Sequence, residues 1–220
     1  MSAPESAPPP GRQPSPPRAQ EVLDFWFGPD PLSPAHFAER LHLWFGGDDP
    51  PDVIAERDEL VTRRFRPWMD EAASGALDHW AGSPHRLLAL VLLLDQFPRH
   101  VYRGRARAYA QDSRALAFTL HALTTGADAA LTLAERLFLY LPLQHAESAA
   151  MQEESIAAYR RLLADAPAQH RKLFESVLEF AQQHHSVIQR FGRFPHRNAA
   201  LSRRSTPEEQ EFLDTPAQPG

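Results

Sequence analysis

Eight consecutive apolar residues, LLALVLLL from Leu87 to Leu94, constrain the fold of this chain more than any other feature. Ser83-Pro84 ahead of them puts a capping residue before proline at the first helical position, so HRLLALVLLLDQF reads as a helix. A helix that is apolar on every side has to be covered on every side. The run therefore predicts a central helix with neighbours packed all round it. A membrane span fails on length, because crossing takes about 20 apolar residues. At 220 residues the chain is long enough to wrap such a helix within one domain.

The flanking sequence supplies helices and no strands. A short helix is predicted to end at EVLDFWFG, with folding starting near Gln20. Ser33-Pro34 opens HFAERLHLWF and Gly46-Gly47 closes it. A helix over roughly 52–65 follows, which Pro67 is expected to kink or end. Asp112 begins a helix stopped by Gly126, and Thr132 with Glu135 forms a capping box before RLFLYL. Helices over 147–164 and 167–191 come next, the second stopped at Gly192. Thr206-Pro207-Glu208-Glu209 caps a last short helix ending near Leu213. The fold class is all-α. Residues 1–19, rich in proline and serine, are expected to be a disordered tail, 20–213 a single helical domain, and 214–220 a frayed end. The N-terminal stretch lacks the apolar run of a signal peptide, so the cytoplasm is the expected location.

No strict internal repeat emerges, but a looser echo does. Three apolar helices run into proline junctions followed by polar groups: DQFPRH (95–100), YLPLQHAE (140–147) and GRFPHRN (192–198). Proline cannot donate to the preceding turn, so carbonyls there need other donors, and Arg or His just beyond can supply them. Charge placement suggests more than capping. Residues 99–114 hold five arginines against one acid, Asp112, and 190–204 hold five arginines and no acid. Those segments carry +9, which leaves −14 for the rest of a chain whose total is −5. Arginine suits bidentate contact with carboxylate or phosphate and stacks on aromatic rings, so RFGRF fits an anion site.

Histidines accompany the arginines. His184 falls on the apolar stripe of Leu173, Val177, Phe180, Val187 or Ile188 and Phe191, while His185 projects elsewhere. His145 follows the second junction, with Glu147 two residues on. His184 or His145 as general base, with Glu147 as its orienter, is one expectation. Metal binding has little behind it. There is no cysteine, only Glu39 to His42 has Glu-x-x-His spacing, and no metal or cofactor is expected. The aromatic pairs Trp26-Phe27 and Trp44-Phe45 most simply plug the core; a ligand wall is the other reading.

LDFWFG, ALDHW, LLLDQFPRHVYRG, FLYLPLQHAE, Gln152-Glu153, RFGRFPHRN and STPEE together resemble the bacterial family known as domain of unknown function number 924, over about 22–213. The resemblance implies a tetratricopeptide-like right-handed stack of antiparallel helical hairpins, and it implies no activity. Its motifs fall on Asp95, Gln96, Arg99, Arg103, His145, Glu147, His184, Arg190, Arg193, His196, Arg197 and Asn198. This chain departs from the usual pattern at His100 (Asn), Ala146 (Ser) and Ser202 (Gly).

The leading expectation is a pocket for a small anionic ligand or an acidic peptide end, built from Asp95, Gln96, Arg99, Arg103, Arg190, Arg193, His196, Arg197 and Asn198. A hydrolase or transferase working on an anionic substrate is the alternative. RNA or phosphate-backbone binding through VYRGRARAY, with Tyr102 and Tyr109 among its arginines, is the third and the least favoured, given the acidic body. No membrane partner is expected, and the sequence leaves the oligomeric state open.

Overall fold

The computed structural model describes residues 17–33, 36–45 and 49–215. The Pro34 and Gly46-Gly47 signals, and most of both tails, lie outside them. The described residues form helices and connecting turns with no strand: α1 (Pro17–Phe27), α2 (Phe37–Phe45), α3 (Pro51–Ser74), α4 (Pro84–Leu94), α5 (Gln96–Val101), α6 (Asp112–Thr125), α7 (Leu133–His145), α8 (Ala149–Asp165), α9 (Arg171–Phe191) and α10 (Pro207–Leu213). None of these helices is long and apolar enough to cross a membrane.

α4 is the central helix that its composition demands. Every residue from Leu87 to Leu94 is buried, and α1, α3, α5, α6 and α7 all pack against it. Each fully buried leucine contributes about 2 kcal/mol of transfer free energy. Beyond α4 the chain proceeds by nearest neighbours: α6 on α7, α7 on α8 and α8 on α9, across short turns. Trp26, Phe27 and Phe138 join the core, and Trp44 Nε1 donates to the Trp26 carbonyl at 2.9 Å.

Both capping boxes form, at Thr132/Glu135 and Thr206/Glu209. Gly192 ends α9 at φ 69, a left-handed conformation that costs other residues energy. Two prolines sit inside helices rather than at their ends. α3 does not stop at Pro67 but continues to Ser74, because Val61, Phe65, Met69 and Ala72 carry one buried stripe past it. The packing outweighs a single lost hydrogen bond. α7 likewise runs through Pro142 to His145. Carbonyls around that proline take donors from neighbouring helices: Thr119 Oγ1 on Leu139 at 2.8 Å and the Tyr159 hydroxyl on Leu137 at 3.2 Å. At the helix end, Gln152 Nε2 donates to the carbonyls of Gln144 (2.7 Å) and Ala146 (2.8 Å).

Ser202, where the resembled pattern carries glycine, has φ 54. A left-handed non-glycine residue costs about 1–2 kcal/mol, and glycine gives part of that back through its freer unfolded chain. Ser202→Gly is expected to raise the unfolding free energy by about 0.5–1 kcal/mol. Denaturant titration of the two proteins measures this; a lower stability for the glycine variant contradicts it.

Candidate functional site

The three proline junctions, far apart in sequence, converge on one cavity of about 560 Å³. Gln96, Arg99, His100 and Arg103 reach it from α5 and the turn beyond, Gln144 and His145 from the end of α7, and His196 and Arg197 from the short helical turn Pro195–Arg197. The α9 stripe contributes Leu173, Val177, Phe180 and His184. Trp44 and Phe45 complete an apolar side, so the second aromatic pair serves both core and cavity. Phe45 and Phe180 are 55% and 43% exposed, unusual for residues of their size, and both line this space.

Behind the polar side runs a relay of charges. Asp95 is fully buried at the α4–α5 junction. A carboxylate accepts only, so His145 Nδ1 carries the proton and donates to Asp95 Oδ1 at 2.8 Å. Gln96 Nε2 donates to the other oxygen, and Arg99 Nη1 lies 3.2 Å from Oδ1. Arg99 also reaches Asp112, at 3.1 and 3.0 Å. Arg197 Nη1 meets that same Asp112 at 3.2 Å, so two guanidiniums share one carboxylate. The Arg197 guanidinium lies 4.6 Å from the Phe194 ring and 4.7 Å from Tyr109, and Arg99 stands 5.6 Å from Tyr109. At the rim, Arg103 forks onto Asp58 at 2.7 and 2.9 Å, with His100 Nδ1 donating to the same carboxylate at 2.9 Å. Asp58, Asp95 and Asp112 do not belong to the cavity wall; the cations and imidazoles in front of them do.

Burial opposes ionisation of Asp95, but Arg99 and His145 outweigh it and hold the carboxyl well below the usual range. Burial, aided by Arg99, pushes His145 down, so its ring is neutral at neutral pH despite Asp95. Burial brings His184 and His196 to about 4, Arg197 adding repulsion at both. His184 donates from Nδ1 to the Phe180 carbonyl at 2.9 Å. Arg197 Nε and His196 Nδ1 are buried without a hydrogen-bond partner among the described residues.

The remaining expected residues go elsewhere. Arg190 pairs with Glu208 at the surface, and Arg193 forks onto Glu209 at 2.6 and 2.8 Å. Asn198 donates to Ser205 and Glu209 and accepts from Arg203. These contacts lie away from the cavity wall; they fasten the chain after α9 to α10 and hold the Pro195–Arg197 turn in place. Glu147 does not orient His145. Ala146 is extended (φ −75, ψ 130), and Glu147 instead accepts from the Phe194 amide at 2.8 Å and from Arg203 at 2.7 and 2.9 Å. The carboxylate on His145 Nδ1 is that of Asp95. Asp112 was not among the expected site residues; its signal was its position as the lone acid in a run of arginines. The rings in VYRGRARAY already face the chain's own cations, Tyr102 under Arg107 at 4.4 Å and Tyr109 under Arg197. His42 sits on Asp49 at 2.7 Å, and no cluster of three possible metal ligands occurs among the described residues.

Residues 22–217 match a family model described as bacterial protein of unknown function, DUF924. A solved structure of a protein of unknown function from Agrobacterium tumefaciens is similar, at 36% identity and a TM-score of 0.71. The similarity covers 89% of this chain and 96% of that one. No curated protein matches.

The two depressed imidazoles make stability depend on pH. An unfolded histidine takes up its proton near 6.5, whereas His184 and His196 resist until about 4. Between those values the unfolded chain binds more protons, so stability falls as pH drops. Asp95, depressed in the fold, adds a loss below its unfolded value of 3.8. Denaturant titrations from pH 7 to 4.5 should show a decline on the order of 2 kcal/mol or more. His184→Phe should flatten that slope by about one proton. An unchanged slope counts against the buried neutral ring.

Proposed function

For this chain, which belongs to the bacterial DUF924 family of proteins of unknown function, we propose that it binds a small organic anion: a carboxylate or phosphate head on an apolar body. The observation that carries this reading is the layering of charge, with guanidiniums on the cavity wall and their carboxylates behind it. Arg197 has only a share of Asp112, which Arg99 also holds, and its buried Nε has no partner among the described residues, so an incoming anion meets a donor that the protein itself does not saturate. The Phe45, Val177 and Phe180 side supports an apolar body. The volume lies in the range of roughly 300–1,000 Å³ common for small-molecule sites. An acidic peptide end fits the same head site, but so apolar a wall favours a small molecule.

Calorimetric titration and thermal unfolding with benzoate, hexanoate, phenyl phosphate and neutral benzamide test the proposal. Ligand at about 100 times its Kd should add roughly 2.7 kcal/mol of stability, a rise in Tm of about 5 °C or more. Benzamide should bind at least about tenfold more weakly than benzoate, and Arg197→Gln should lose a similar factor. Because the site is shielded, affinity should change little with salt. If no anion stabilises the protein, the proposal falls.

A further inference from the structure

The pairing of His145 with Asp95 does more than hold the wall of an anion site together: it fixes which imidazole nitrogen carries the proton. Resting on the anion-site reading above, we infer that the cavity hydrolyses carboxylic esters, with His145 as the general base that activates water and Asp95 as the residue that positions it. The Nδ1 proton is committed to a fully buried carboxylate at 2.8 Å. That fixes the tautomer and leaves Nε2, with its lone pair, as the nitrogen available to the cavity that His145 lines. The side chain is 13% exposed, enough for water to reach its edge. Arg99 and Arg197 stand beside it on the same wall, where negative charge would develop on a carbonyl oxygen.

The chemistry of the neighbours selects the reaction. Ser176 lines the cavity, but its hydroxyl donates to the Lys172 carbonyl, so water is the nucleophile rather than a side chain. His184 has spent its N–H on Phe180 and offers no proton to a leaving group. In this proposal the proton that His145 takes from water is the one it returns. Such a donor suits an alkoxide or phenoxide, which leaves more readily than the amine of an amide.

In the step, water oxygen bonds to the ester carbonyl carbon as its proton passes to His145 Nε2. The carbonyl π pair moves onto oxygen, opposite the guanidiniums. Collapse breaks the bond to the ester oxygen, which takes the proton from Nε2 and departs as the alcohol. The acid product releases its proton to water. Ester and water give carboxylate and alcohol, with no redox partner, and the carboxylate is the anion the site already holds.

The charged and titratable groups around His145 come from several elements. Asp95, Arg99 and Asp112 act on it directly, and Arg103 and His100 after the α4–α5 junction, Tyr109 ahead of α6, Tyr159 on α8, His184 on α9, and His196 with Arg197 on the third turn line the same cavity. Their sum keeps the ring neutral, so the rate is full at neutral pH and falls on the acid side, below the ordinary histidine range.

The test is nitrophenol release from p-nitrophenyl butanoate and p-nitrophenyl benzoate, with benzoate as competitor. Wild type is expected to turn over with that acid limb and to be inhibited competitively by benzoate. His145→Gln should lower kcat by at least about 100-fold and change KM by no more than about threefold, with benzoate binding retained. Asp95→Asn should lower kcat and move the limb. The wild-type pH profile and product inhibition stand even if a variant fails to fold. Benzoate binding without release above buffer overturns hydrolysis and leaves the anion site intact; a folded His145→Gln protein with full rate overturns His145 as the general base. Absence of benzoate binding together with absence of release removes both.

Discussion

The carboxylate of Asp95 is the constraint on which the site depends. A charge with no access to water has to be matched by protein groups, and removing one partner of such a pair typically costs about 3–5 kcal/mol. Its partners come from two junctions: Gln96 and Arg99 from the first, His145 from the second. Arg99 then passes the constraint to Asp112, and Asp112 holds Arg197 of the third. One buried charge thus ties three separated helix ends into a single wall. A hydrophobic substitute could fill the space, but it would not dictate which nitrogen of His145 carries the proton.

Around that relay the molecule divides its arginines by task. Arg193 and Arg203, with Glu209 and Glu147, form a closed set of pairs that fixes the chain after α9. A small apolar cluster of Val187, Ile188 and Phe194, with Phe191 and Phe212 against it, backs the set. Arg99 and Arg197 hold a different position on the cavity wall, Arg99 paired with Asp95 and Asp112 and Arg197 left with an unpartnered Nε. The first group makes the second possible, because the Pro195–Arg197 turn has no long helix of its own to hold it. Glu209 serves both as cap of α10 and as partner of Arg193.

The apolar wall follows from α9. Its stripe is continuous, yet only part of it meets the core; Val177, Phe180 and His184 face the cavity with Phe45. The protein thereby leaves large aromatic surface uncovered next to desolvated donors.

The sequence by itself determined the helices. Their signals are local: the all-round apolar run of α4, the boxes at Thr132 and Thr206, the stop at Gly192. The same reading placed the proline junctions and the two basic segments, and it picked out Arg99, His145, His184, His196 and Arg197. It did not decide partners. Glu147 lies two residues from His145 yet turns away at Ala146, while Asp95, fifty residues earlier, supplies the contact. Arg190 and Arg193 have the same composition around them as Arg197, yet acids on α10 take them up. Pro67 and Pro142 failed to break their helices because packing on both sides outweighed one missing donor. Helix formation is governed by neighbours a few residues apart, which a sequence displays. Which acid meets which base is governed by where whole helices come to rest, and the core decides that.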